Sequence, residues 1–262
     1  MNAPARVAAF APNWRKRAIL LAATLYTLYA ASTLGVSWDR FVSGLSNGAT
    51  FISRMFPPQT APDKLRLLLD GTLESLQIAI LATFFGVLLA LPLGFLCARN
   101  LMPAPVSWAA RGFVALCRSL HSVIVANLFV KAVGFGALAG TLALVVASLG
   151  FISKLFGEAI EEIDMKPVEA ARAAGGTFLG VLVMAVLPQV AARFIGFASY
   201  QFDSNLRNST MVGIVGAGGI GAPLFTAYQR FDYDFVLTIL LTIVALVLLT
   251  EAVTGRLRKL FQ

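Results

Sequence analysis

Arg118, His121, Ser122 and Lys131 all fall within one apolar stretch, LCRSLHSVIVANLFVKAVG. A charged residue at the centre of a membrane helix costs roughly 2.5–3.5 kcal/mol on insertion scales, so each needs a reason. Lys131 lies near one end of the stretch and can snorkel to the interface. Arg118 lies about two turns from the other end, and His121, three residues on, shares its face if the stretch is one helix. The guanidinium fork matches phosphorus oxyanions. Two readings stay open. Arg118, His121 and Ser122 line a path that eases an anion across, or an internal carboxylate or carbonyl partner satisfies Arg118 and its role is structural.

Other chemistry is thinly supplied. Cys97, Cys117 and the single histidine form neither a CxxC nor a His cluster, so no metal site is expected. Both cysteines fall in or beside apolar helices, which argues against a disulfide. Gly216, Gly218 and Gly221, with Gly219 between them, satisfy G-x-G-x-x-G. That fingerprint needs a strand before it, a helix after it and a later acid. Here it lies among apolar spans, and its better reading is a tight turn or a re-entry into the bundle. There is no G-x-x-x-x-G-K-[ST] and no Gly-Lys pair, so the chain is not expected to bind or hydrolyse ATP. Nor is there a Ser/His/Asp arrangement. No catalytic, cofactor-binding or metal-ligating residue is expected.

A dense polar run, Asp203, Ser204, Asn205, Arg207, Asn208, Ser209 and Thr210, separates two apolar segments. It reads as a solvated outer loop. Alternatively, Asn205, Ser209 and Thr210 are donors at an outer gate, with Gly216, Gly218, Gly219 and Gly221 as its flexible backbone.

The elements that must position these residues follow from composition. Of 262 residues, 58% are hydrophobic and 13% charged, against roughly a quarter charged in soluble domains. The solvent is therefore lipid. The net charge of +8 comes from basic residues flanking apolar segments, as the positive-inside rule expects, so nucleic acid is not the partner. Six stretches are long enough to span: 18–36, 73–98, 112–133, 137–156, 178–200 and 235–253. The expected fold is an all-α polytopic membrane bundle of six transmembrane helices. Arg6, Arg15, Lys16 and Arg17 precede the first span, and Arg256, Arg258 and Lys259 follow the last. Both termini are thus placed in the cytoplasm. The expected organisation is a basic tail (1–17), a first, uncleaved span (18–36), an outer loop (37–71), the main bundle (72–253) and a basic tail (254–262). In the outer loop Trp38, Phe41, Val42 and Leu45 recur at helical spacing. They predict an amphipathic helix, lying in the outer interface or packed on the bundle.

Between the fourth and fifth spans stands EAARAAGGTFLGVLVMAVLP, 169–188. Pro167 suits a first helical turn, and Glu169 in that same turn would meet the positive end of the dipole. Ala170, Ala171, Ala173 and Ala174 favour helix with almost no side chain, and Gly175-Gly176 stops it. The result is a short, smooth cytoplasmic helix tethered to two spans, a docking knob. Leu187-Pro188 then bends the fifth span.

Glu169, Ala170, Ala171, Gly175, Leu187 and Pro188, at this spacing, resemble the EAA signature of ABC-importer permeases. Ala185 stands where an aliphatic such as Ile is more usual. The resemblance covers about 72–253 and implies a type-1 permease domain whose 169–175 segment, Arg172 included, docks into a cytoplasmic ATPase. FDSNLRNSTMVGIVGAGGIG (202–221), TLESLQIAI (72–80), VGFGALAGTLAL (133–144) and the outer FPP resemble the phosphonate-type branch. There Ser122 replaces a carboxylate often found one residue after the His121 position. The resemblance implies a homodimer in the bacterial inner membrane, an ATPase dimer that binds ATP and Mg, a periplasmic binding protein, and a phosphonate or related phosphorus oxyanion as cargo. A permease for another small solute, and a secondary transporter or channel, are the alternatives. The deep spans are almost free of carboxylates, which disfavours an ion-coupled carrier.

Overall fold

The computed structural model describes residues 14–35 and 37–261, with side chains through Arg256. The first 13 residues, Val36 at the end of the first expected span, and the Arg258 and Lys259 side chains lie outside this description. The chain divides into two compact units, Met1–Arg54 and Met55–Gln262. Regular structure among the described residues is entirely helical.

In the first unit, α1 (Trp14–Thr33) opens with three consecutive cations and runs on in apolar residues. Helix α2 (Trp38–Ser53) is the amphipathic helix expected from spacing. The Ser37 hydroxyl caps it by accepting the Arg40 N–H at 3.2 Å. Asp39 lies in the first turn, where the dipole favours it. Trp38 and Phe41 stack with centroids 5.5 Å apart.

The second unit comprises α3 (Pro62–Cys97), α4 (Ala104–Ser119), α5 (Ser122–Val133), α6 (Ala137–Glu161) and α7 (Met165–Ala173). There follow α8 (Phe178–Val181), a π turn (Leu182–Val186), α9 (Leu187–Ile214), α10 (Gly221–Gln229) and α11 (Tyr233–Phe261). Helix α8, the π turn and α9 form one rod, Phe178–Ile214. This rod, α3, α6 and α11 are long and apolar enough to cross a membrane. The pairs α1–α2 and α4–α5 qualify only if each bent pair counts as one span, giving four to six spans.

The core is α3 against α6. Between membrane helices there is no hydrophobic drive, so small residues that let backbones approach decide the packing. Helix α3 buries Ser75, Ala79, Ala82, Gly86, Ala90 and Gly94. Helix α6 answers with Gly140, Ala143, Ser148, Ser153 and Gly157. A Cβ on Gly86 would collide with Ser148, and one on Gly94 would stand 2.5 Å from the Phe156 ring. A polar cluster fastens α9 to this pair. The Asn205 amide donates to Thr83 Oγ1 at 2.9 Å and Ser148 Oγ at 2.8 Å, and Gln201 donates to Ser148 at 3.1 Å.

Several boundaries differ from the sequence reading: α3 begins at Pro62, inside the expected outer loop, and α6 runs on to Glu161. The third span, expected to be continuous over 112–133, breaks between Ser119 and Ser122 with a bend of 87°. The fifth runs on to Ile214 and takes in the polar run expected as a loop. Gln201, Asn205 and Ser209 recur every four residues on its buried face, so the run is a helix with a polar stripe. Helix α11 likewise continues to Phe261, through residues expected as a tail.

Candidate functional site

Helix α7 starts at Met165, with Pro167 in its first turn as expected. Asp164 is its N-cap, accepting the Lys166 N–H at 3.0 Å. Pro167 is therefore the third helical residue, and Glu169 sits in the second turn, not the first. At the other end Gly175 has φ +79°. Its N–H bonds the Arg172 carbonyl at 3.0 Å, and the Gly176 N–H bonds that of Ala171 at 3.1 Å. These paired bonds are a Schellman motif. Val168 is completely buried in a cluster with Phe156, Ile160, Val181, Leu182, Val186 and Val190. Ala171 packs partly against the same cluster, so it faces the bundle. Glu169, Ala170, Arg172, Ala173 and Ala174 are exposed and form the approachable surface.

The root of α7 is tied to the bundle by residues that spacing did not single out. Gln189 donates to the Asp164 carbonyl at 3.2 Å and accepts the Asp164 N–H at 3.1 Å. Arg193 pairs with Glu162 at 2.6 Å. Glu161 pairs with Arg111 at 2.6 Å and accepts the Arg99 N–H at 2.8 Å. At Leu187-Pro188, where a bend was expected, the helix passes through the π turn and continues as one rod. In an α-helix the Pro188 ring would collide with the carbonyl four residues back. The wider coil, closed by Leu187 N–H to the Leu182 carbonyl, avoids this. Gln189 also donates to the Ala185 carbonyl at 2.7 Å.

The α4–α5 break is the second centre. His121 is the N-cap of α5, its Nδ1 accepting the Val123 N–H at 3.3 Å. Arg118 and His121 therefore share no helix face. They meet across the break and, with Ser122, line a cavity of about 370 Å³. Its far wall on α9 carries Tyr200, Gln201, Ser204 and Asn208. The Arg118 stem rests on Gly150, where an added Cβ would stand 2.8 Å from Cγ. Among the described residues the Arg118 guanidinium has no hydrogen bond and no ion pair. Among the described residues it lacks the internal partner that a structural role requires. Lys131 lies in the last turn of α5, outside this cavity, where the helix dipole favours a cation.

The glycine segment does re-enter the bundle. Gly216, Gly218 and Gly219 have φ of +84°, +81° and +79°, which L side chains rarely adopt. The Glu74 carboxylate accepts the Gly219 N–H at 2.9 Å, and the Ser75 hydroxyl accepts that of Ile220 at 2.9 Å. Gly221 opens α10 with its backbone against the Thr210 carbonyl. Asn205 and Ser209 are fully buried, and Ser209 donates to the Leu206 carbonyl at 2.7 Å. Their polar atoms are engaged within the subunit.

Residues 90–262 match the family described as the binding-protein-dependent transport system inner membrane component. The chain is 41% identical over 245 residues to the phosphite transport system permease protein PtxC of Stutzerimonas stutzeri, covering 93% of this chain and 86% of that one. It is 40% identical over 209 residues to the phosphate-import permease protein PhnE of Mycolicibacterium smegmatis, covering 79% of this chain and 39% of that longer protein. The fold matches the inward-facing MetNI methionine ABC transporter with a TM-score of 0.69 at 25% identity, over 78% of this chain and 100% of that chain. With family, relatives and fold in agreement, the chain belongs to the binding-protein-dependent transport permeases: it is the multi-pass membrane subunit of an ABC importer, not itself an enzyme, working with a separate ATPase and a substrate-binding protein.

Proposed function

We propose that this permease forms a homodimer in the bacterial inner membrane and passes a phosphite- or phosphonate-type oxyanion inward along the dimer axis, past Arg118, His121 and Ser122. The observation that carries this reading is the unpartnered Arg118 guanidinium beside a polar cavity. Lipid cannot solvate such a group. Arg118, His121, Asn127 and Lys131 are all exposed on α4 and α5, so that face meets water and a second copy. Closed two-fold symmetry is the commonest way to enclose such a path. The names of the relatives, phosphite and phosphate permeases, favour phosphorus oxyanions over another solute.

The basic residues Arg99, Arg111, Lys166 and Arg172 near the α7 end support a cytoplasmic α7 and cytoplasmic termini. There Glu169, Ala170, Arg172 and Gly175 offer α7 to the ATPase, which holds the ATP and Mg; this chain holds neither. Closure of the ATPase dimer moves α7, and the Gln189, Arg193 and Arg111 ties carry that motion into α9, α6 and α4. The buried glycine turn, Gly216 to Gly221, serves as the outer gate, held shut by Glu74 and Ser75. Asn205 and Ser209 keep the gate-bearing helix in place, and Thr210 supports the turn from beneath.

The test is uptake by proteoliposomes containing this chain, its ATPase and its binding protein. ATP-dependent phosphite uptake is expected, with competition by methylphosphonate and none by methionine. An assembled complex that hydrolyses ATP but takes up no phosphorus oxyanion would overturn the substrate assignment.

A further inference from the structure

On the α7 side of the break a second cavity, of about 150 Å³, opens between α4 and α6. Arg111, Arg118, Lys154 and Glu158 line it, with Ala115 in its wall. Arg118 borders both cavities and is the wall they share. Three cations thus face one carboxylate. They are not equally held. Arg111 is fixed, by Glu161 at 2.6 Å and by the Cys97 carbonyl at 2.8 Å. Among the described residues Lys154 has only Glu158, one turn along the same helix at 3.5 Å, with both side chains nearly half exposed. An ion pair of that length and exposure is weak. Yet Lys154 stands seven residues before the end of α6, about 10 Å up the helix axis, on the wall of a cavity that Arg118 also borders.

We propose that this α4–α6 cavity is a second anion station, in which Lys154 takes the oxyanion from Arg118 and Glu158 holds the Lys154 charge when no substrate is present. The proposal rests on the Arg118 path. It also removes a difficulty of that path, because a single deep cationic site that binds an anion well releases it slowly. Conduction needs several sites, each weak enough to leave. Glu158 supplies the means of release. It competes for Lys154, so the anion is displaced toward the α7 end when the carboxylate returns. Arg111, already neutralised, completes the positive wall without retaining the cargo.

The test uses the full complex with ATPase and binding protein in proteoliposomes, and phosphite as the probe. Lys154→Gln should lower phosphite uptake by about tenfold, the effect of one lost charge-assisted contact. Lys154→Arg should restore most of it. Independently, with Lys154 intact, the thiol of Ala115→Cys should react faster with an anionic than with a cationic thiosulfonate, and phosphite should slow the anionic reaction. That labelling needs no loss-of-charge variant to assemble. Unaltered uptake in Lys154→Gln, with uptake lost in Arg118→Gln, would reject the station and leave the path standing. Unaltered uptake in both would reject the path itself. Equal labelling by the two reagents, with no protection by phosphite, would also overturn the station.

Discussion

Val168 is the single α7 side chain that the bundle swallows whole. Val168→Ala removes two methyl groups from the cluster around Phe156 and Val186. At about 0.8 kcal/mol per buried carbon, the loss is about 1.6 kcal/mol, before any cavity term. Since each 1.4 kcal/mol is tenfold, α7 should detach about 15 times more often. Hydrogen exchange reads this directly, as faster exchange of the amides around 168–174 in the assembled complex. A loosened lever also transmits less, so phosphite taken up per ATP hydrolysed should fall while the subunits stay together. Unaltered α7 exchange would refute the burial argument. Faster exchange with unaltered uptake per ATP would refute the claim that this anchor carries the stroke.

Other outcomes follow from the same structure. Gly94→Leu drives a side chain into the Phe156 ring across the α3–α6 contact. Overpacking of that kind costs about 1–3 kcal/mol and should lower the thermal midpoint in detergent. Asn205→Leu removes bonds from α9 to Thr83 on α3 and Ser148 on α6. At about 0.6 kcal/mol each the expected loss is about 1.2 kcal/mol, measurable by the same melt. Lys64, 2.5 Å from Asp232, holds that carboxyl below its ordinary value. A lowered folded pKa gives stability that is present above the ordinary carboxylate range, about pH 4, and lost as pH falls through the folded value. The thermal-midpoint gap between the protein and Asp232→Asn should therefore shrink below about pH 4.

Much of this was legible in residue spacing. The amphipathic α2 follows from Trp38, Phe41, Val42 and Leu45, and the stop of α7 from Gly175-Gly176. The α4–α5 break was not. No glycine or proline marks Leu120-His121, and the short polar run Arg118, Ser119, His121 and Ser122 is flanked by apolar residues on both sides. Its local signal is an imidazole acting as a cap, and histidine is a poor predictor of caps. Pro167 lies in the first turn of α7 as expected, but the cap is Asp164, which the spacing did not single out, so Glu169 falls in the second turn. The α9 stripe could have been found. Gln201, Asn205 and Ser209 stand at helical spacing, but a dense polar run between apolar segments reads first as a loop. The contacts of Gln189 with Asp164 and of Arg193 with Glu162 belong to tertiary packing and leave no mark in local pattern, whereas Lys154 and Glu158 stand at i, i+4 spacing on one helix.

Arg118→Gln in the reconstituted complex tests the central claim most directly. Among the described residues Arg118 has no partner to lose, so assembly with the ATPase and the thermal midpoint should stay as they are. A charge-assisted contact to an oxyanion is worth about 1.5–3 kcal/mol, so phosphite uptake should fall by about ten- to a hundredfold. Unchanged uptake, or a complex that comes apart, would contradict an anion path through the α4–α5 break.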